Sequence, residues 1–189
     1  MKTSRLFSVK HIVLVGLLAA LTCAGSALRI KVPADIVGTS AFHLGNILCA
    51  LSGVLLGPWL GGLAAGLGSA IYDMLDPIYI QDAWLTFLMK GSYGVIAGLV
   101  IRCGKGQWHY GRATLATVAG ALTYAILYLS KTFFYNGMLF AGLTADAAWL
   151  TVVSKLPATI FNAVVAILAA PPLAVALRKA LSRSHLSLD

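Results

Sequence analysis

Residues 84–102 read WLTFLMKGSYGVIAGLVIR, and Lys90 is the one charged side chain before the final arginine. A run of this length and composition is typical of a helix that crosses a bilayer, which needs about 20 mostly apolar residues. Five further apolar runs are separated from it and from one another by Gly, Pro and charged residues. Together they predict one all-α membrane domain over 1–189, with six transmembrane helices at about 8–28, 43–56, 59–75, 84–102, 112–140 and 145–178.

Composition excludes a soluble domain. Of the 189 residues, 59% are hydrophobic and 11% are charged, whereas an ordinary soluble domain has about 25% charged residues. The chain contains no Glu, which excludes helix motifs such as HExxH. Its three cysteines lack the CxxC spacing of a zinc site or redox pair. We therefore expect no catalytic residues and no metal ligands, so the chain is not expected to be an enzyme.

The start of the chain has two features of a signal peptide, basic residues followed by an apolar run. The run from His11 to Leu28 is 18 residues long, however, and signal peptides have an apolar region of about 7–15 residues. We interpret it as a retained first helix.

The distribution of charged residues along the chain predicts its orientation in the membrane. With six spans, three basic clusters fall on the same side, and the positive-inside rule assigns that side to the cytoplasm. These clusters are Lys2, Arg5 and Lys10; Arg102, Lys105 and Arg112; and Arg178, Lys179 and Arg183. Asp35, Asp73, Asp76, Asp82 and Asp146 fall on the other side. Both signs predict that the two termini are cytoplasmic.

Small residues recur at spacings of four. Gly62, Gly66 and Ala70 form such a series, and spacings of this kind let helix backbones approach closely in lipid. A second series, Gly16, Ala20 and Ala24, forms a smooth ridge on the first helix. For this ridge two interpretations stay open, packing within the chain or docking of another membrane subunit. The Gly-rich stretch matches no phosphate-binding loop.

Three lysines, Lys90, Lys131 and Lys155, lie within predicted helices, all in the outer half. A lysine at the bilayer centre costs roughly 2.5–3.5 kcal/mol, so each is by default a functional or paired site. Polar residues at helical spacing share their faces. They are Thr86 and Tyr93 on the fourth helix, Tyr124, Tyr128 and Tyr135 on the fifth, and Thr151, Thr159 and Asn162 on the sixth.

These stripes predict a cavity that opens outward and suits a small flat molecule with an anionic or strongly accepting group. The candidate substrate-binding residues are Lys131, Lys155, Tyr128, Lys90, Tyr93, Asn162, Asn46, His43 and Asp73.

Several of these residues also have structural interpretations. One such interpretation pairs Asp73 with Lys90, so that the carboxylate neutralises the ammonium. Asp146 or Asp76 are alternative partners for Lys131 or Lys155. The segment of His43 and Asn46, after the polar loop 35–40, is interpreted either as a gate over the cavity or as ordinary capping of a helix start.

The segment 43–46 (HLGN), Gly57-Pro58 with the glycines that follow, Asp73, and Thr86 with Lys90-Gly91 resemble an S component of an energy-coupling factor (ECF) importer. The similarity covers about residues 11–175 and is greatest to the branch with riboflavin, hydroxymethylpyrimidine and pyridoxine type components. Lys131, Lys155, Pro157 and Asn162 depart from the better known members, so the resemblance does not identify one vitamin.

The resemblance implies a subunit that captures a vitamin-like molecule outside and docks on a transmembrane coupling protein driven by two cytosolic ATPases. It implies that ATP is used by those partners, with no cofactor in this chain, and that the ridge of Gly16, Ala20 and Ala24 contacts the coupling protein. It also implies a cavity under the loop between helices one and two.

Three alternative functions agree less well with the sequence. A self-contained secondary transporter is the first, but the two helix triplets show no convincing inverted symmetry. A lipid-modifying enzyme needs acids on the cytoplasmic side, and a scaffold leaves three intramembrane lysines unexplained.

Overall fold

The protein, a computed structural model, is described over residues 9–33, 39–103 and 108–183. Lys2, Arg5, Asp35 and Lys105 lie outside these ranges. The helices are α1 (Val9–Ala27), α2 (Gly45–Leu56), α3 (Pro58–Leu75), α4 (Ala83–Arg102), α5 (Tyr110–Ser130) and α6 (Ala145–Arg183). A 3-10 turn (Ile80–Asp82) precedes α4, and a π-helical segment (Lys131–Phe140) continues α5.

Four of the helical segments are long and apolar enough to cross a membrane. They are α1, α4 with its preceding turn, α5 with the π segment, and α6. The α2 helix is apolar but has only 12 residues, about 18 Å of helix against a hydrocarbon core of about 30 Å. It is joined to α3 at Gly57, whose φ of 80° favours glycine, followed by Pro58 at the first turn of α3.

Glycines bring α3 and α4 together. A Cβ added at Gly62 would lie 3.0 Å from the carbonyl oxygen of Gly91, and one at Gly66 would lie 2.9 Å from that of Phe87. A larger residue at either position has to push α4 away. The small-residue series on α3 therefore packs two helices of the chain against each other.

Two short strands between α1 and α2 form a β-hairpin, which the all-α expectation did not include. Of the loop expected at 35–40, residues 35–38 lie outside the described ranges and residues 39–40 belong to the second strand. Strands β1 (Arg29–Pro33) and β2 (Thr39–His43) pair antiparallel, with Arg29 opposite His43 and Lys31 opposite Ala41. Because His43 belongs to β2, helix α2 begins at Gly45, two residues later than expected.

The helix expected over 112–140 is found at Tyr110–Phe140, and its last ten residues are π-helical. The backbone changes from α to π geometry at Lys131, and N–H of Ala141 bonds to the carbonyl of Asn136, five residues back. A change of this kind alters which side chains share a face after Ser130, and π-helical turns are frequent at functional sites.

Successive helices run in opposite directions, so the bundle has two ends. The two ends differ in the elements and the charged residues that they carry. The hairpin end carries the β-hairpin, the 3-10 turn and the starts of α2, α4 and α6. The basic end carries Lys10, Arg102, Arg112, Arg178, Lys179 and Arg183. There the guanidinium of Arg102 donates to the carbonyl of Leu56 at 3.2 Å and so caps the end of α2.

Candidate functional site

A cavity of about 170 Å³ lies at the hairpin end, between the hairpin and the helices below it. Its lining combines charged, polar and aromatic side chains from five helices, the hairpin and the π segment. The charged and aromatic members are Arg29, Asp73, Tyr79, Asp82, Lys90, Tyr124, Tyr128, Lys131 and Lys155. Four cations thus face two carboxylates, so the lining carries a net charge of +2 with its His43 neutral.

Three tyrosines form a stack that reaches the cavity. The rings of Tyr124 and Tyr128 lie 5.7 Å apart at 23°, because residues four apart on α5 share a face. Tyr93 of α4 stacks on the other side of Tyr124 at 6.2 Å and 28°. Tyr93 is fully buried and outside the cavity lining, whereas the other two line it. The stack thus presents flat aromatic surface with a buried ring behind it.

Lys90 is buried, with 3% of its surface exposed. Its ammonium donates a hydrogen bond to Oδ1 of Asn46 and lies 4.1 Å from the ring centroid of Tyr124. Both of these neighbours are neutral, and both hold the ammonium in place beside the cavity. Asn46 lies behind the lining.

Lys131 pairs with an aspartate that the sequence did not single out. Its Nζ lies 2.5 Å from Oδ2 of Asp82, and both side chains are mostly buried. Asp82 ends the 3-10 turn before α4, while Lys131 begins the π segment. The alternatives weighed from the sequence, Asp146 and Asp76, are not this partner.

Asp73 pairs with Arg29 and not with Lys90. Nη2 of Arg29 lies 3.6 Å from Oδ1 of Asp73, and each side chain is 9% exposed. The guanidinium also lies 3.9 Å from the ring centroid of Tyr72, and its Nε donates to the carbonyl of Ser26 at 2.7 Å. Arg29 therefore ties the start of β1 to the end of α3.

Asn162 of α6 bonds to the backbone of β2 through both ends of its carboxamide. Its Oδ1 accepts from N–H of His43 at 3.0 Å, and its Nδ2 donates to the carbonyl of Ala41 at 2.8 Å. The imidazole Nδ1 of His43 is buried, and within the described ranges no group hydrogen-bonds to it. His43 lines the cavity.

Seven of the nine candidate residues from the sequence line the cavity, namely Lys131, Lys155, Tyr128, Lys90, Asn162, His43 and Asp73. The other two, Tyr93 and Asn46, lie behind the lining, which corrects the expectation that they face it. Sequence reasoning missed Arg29, Tyr79, Asp82 and Asn136. The first three are in the connections between α-helices, Arg29 in β1 and the other two in or beside the 3-10 turn, where no helical stripe marks them.

The ridge on α1 faces away from the part of the chain that the structure describes. Gly16, Ala20 and Ala24 are exposed, and a Cβ at Gly16 would meet no atom within 4 Å. Of the two interpretations left open by the sequence, packing against the described part of the chain does not account for these residues.

Comparisons with known proteins agree with this architecture. The profile of the family described as ECF-type riboflavin transporter, S component, matches residues 6–179. An uncharacterized protein in the gap 3′ region of Pyrococcus woesei is 36% identical over 118 residues, which is 62% of this chain and 74% of that protein. A UPF0397 protein of Streptococcus gordonii is 31% identical over 94 residues, 50% of this chain and 48% of that relative.

The family match spans nearly the whole chain and includes every residue of the cavity. Members of this family are integral plasma membrane proteins that take part in transport and are not enzymes. The chain belongs to the family of ECF-type riboflavin transporter S components.

Proposed function

We propose that this chain is the substrate-binding subunit of an ECF-type importer and captures its substrate at the hairpin end. The single observation that carries the proposal is the cavity, in which stacked tyrosines and buried cations meet under a hairpin. The six helices all cross or enter the bilayer, with both termini in the cytoplasm. The basic end then lies inside and the cavity outside, as the positive-inside rule requires.

The substrate is a small planar molecule with an anionic or strongly electron-accepting group. Tyr128 and Tyr124 offer a flat ring to stack on, and Lys90, Lys131 and Lys155 supply donors and positive charge. The lining cations outnumber the carboxylates by two, which favours a ligand that accepts hydrogen bonds or carries negative charge. Riboflavin, named by the family description, is the first candidate because its ring system is flat and rich in acceptors.

Transport needs partners. The sequence contains no phosphate-binding loop, so ATP is used by two cytosolic ATPases that act through a membrane coupling protein. The exposed ridge of Gly16, Ala20 and Ala24 is the proposed contact with that coupling protein. Small residues suit such a contact because they let two helices approach closely in lipid.

Binding of riboflavin and of flavin mononucleotide to the purified chain in detergent tests the substrate class. We expect saturable binding of at least one, weakened about two- to tenfold in Tyr128→Leu, since stacking contributes roughly 0.5–1.5 kcal/mol. Tyr110→Leu, at an exposed tyrosine of the basic end, is the matched control. Native mass spectrometry of the chain purified from cells extends the search to other vitamin-sized molecules.

Liposomes distinguish this proposal from the alternative, a self-contained secondary transporter. On the proposal, the chain alone in liposomes should bind its substrate without accumulating it, and accumulation should require the coupling protein and ATP. A secondary transporter should accumulate the substrate by itself. Accumulation by the chain alone would contradict the proposal.

A further inference from the structure

The hairpin is held differently on its two sides. On the β1 side, Arg29 pairs with Asp73, and Lys31 Nζ lies 2.6 Å from Oδ2 of Asp76. On the β2 side, the contacts with α6 are neutral. They are the two hydrogen bonds of Asn162 and an edge-to-face contact between Phe42 and Phe161, with centroids 5.1 Å apart. Charged contacts thus tie one strand to α3, and neutral ones tie the other to α6.

The carboxamide of Asn162 completes the free edge of β2. An edge strand presents backbone N–H and C=O groups that have no partner in the sheet. Asparagine carries a donor and an acceptor side by side, and here they bond to residues 41 and 43, which point to the same edge. Asn162 therefore replaces, with one side chain, the bonds that a third strand would make.

We infer that Asn162 is a positioning residue that latches β2 to α6 and so fixes the part of the cavity wall formed by Ala41 and His43. The geometry of the latch stands without a ligand, because Ala41 and His43, whose backbone the latch holds, both line the cavity. One amide hydrogen and one oxygen lone pair of the carboxamide bond to the hairpin, and because the side chain also lines the cavity, its role as a substrate contact stays a prediction.

Hydrogen–deuterium exchange of the full chain in detergent, without added ligand, tests the latch. In Asn162→Leu, similar in size but without either hydrogen bond, peptides covering residues 39–43 should exchange roughly tenfold faster or more. Peptides from the end of α3 should not change. Thr159→Val is the matched control, because Thr159 lines the cavity one turn away but its hydroxyl bonds only within α6, to the carbonyl of Lys155.

Asn162→Asp is a second variant that tests the latch if the leucine variant does not fold. It keeps an acceptor for N–H of His43 but places an oxygen against the carbonyl of Ala41, so exchange should also rise, by less. Unchanged exchange at 39–43 in these variants, or an equal rise in Thr159→Val, would overturn the latch. Neither result bears on whether the cavity binds riboflavin.

Discussion

Nζ of Lys131 lies 2.5 Å from Oδ2 of Asp82, and this pair joins the start of the π segment to the turn before α4. Asp82→Asn removes the negative charge and leaves a mostly buried ammonium. We expect a loss of roughly 1–3 kcal/mol in unfolding free energy, between the values for exposed and fully buried pairs. Thermal unfolding in detergent measures it as a lower melting temperature.

The double variant Asp82→Asn with Lys131→Met separates pairing from packing. Because methionine needs no counter-charge, the double variant should be more stable than Asp82→Asn alone. Equal stability of the two would show that the ion pair does not account for the loss.

The tyrosine stack predicts a graded effect on binding. Tyr124→Phe keeps the ring beneath the ammonium of Lys90 and between its two neighbours, so affinity for the ligand should stay within about twofold. Tyr124→Leu removes the ring, and affinity should fall about tenfold, as expected for loss of stacking and cation–π contacts. Isothermal titration with the ligand found by the binding experiments measures both. A loss in the phenylalanine variant as large as in the leucine variant would assign the effect to the hydroxyl.

The ridge on α1 predicts a separation of binding from transport. Ala20→Trp and Ala24→Trp add bulk at exposed positions, so ligand binding to the isolated chain should be unchanged while uptake by the complete transporter is abolished. Ile126→Trp, at a 66% exposed position on α5, is the control and should keep both activities. Loss of binding together with uptake would contradict a docking role.

The pair of Lys31 and Asp76 predicts how pH affects the anchoring of β1. The hydrogen bond to Asp76 raises the pKa of Lys31. Burial raises the pKa of Asp76, but the bond from Lys31 and the N–H of Ile78 outweigh it and hold that pKa below its usual value. The pair therefore stabilises the hairpin from about pH 4 to about pH 10, the ordinary pKa values of aspartate and lysine. The ion pair is lost below this range because Asp76 gains a proton, and above it because Lys31 loses one.

Hydrogen exchange or limited proteolysis of the hairpin across pH measures this effect. Protection should be constant near neutral pH and fall in acid, below the ordinary value for aspartate. Asp76→Asn should remove the acid transition, and an unaltered acid transition in that variant would assign it to another group.

Much of the helical framework is predictable from local sequence. Apolar runs interrupted by Gly, Pro and charge locate an element such as α3, expected at about 59–75 and found at Pro58–Leu75. Polar residues at helical spacing, such as Tyr128, Lys131 and Lys155, also mark positions that share the cavity. Both signals depend on periodicity within one segment, which the sequence contains in full.

The hairpin, the π segment and the ion pairs are not predictable in this way. Strands of five residues produce too short an alternation to recognise, and a π segment has the same apolar composition as an α-helix. The choice of Arg29 over Lys90 as the partner of Asp73 depends on how α1 and α4 lie against α3. Which residues form an ion pair is determined by tertiary packing between segments far apart in the chain.

The length of α6 connects the two ends of the molecule. Its 39 residues span about 58 Å, from the hairpin end to the basic end, and Asn162 lies on it near the hairpin. Between Asn162 and the basic end, Pro171 and Pro172 each lack the N–H that would bond four residues back. One turn of α6 between Asn162 and the basic end is therefore short of two backbone hydrogen bonds. The two halves of this long helix bend relative to each other more easily at that turn than they would in an uninterrupted helix.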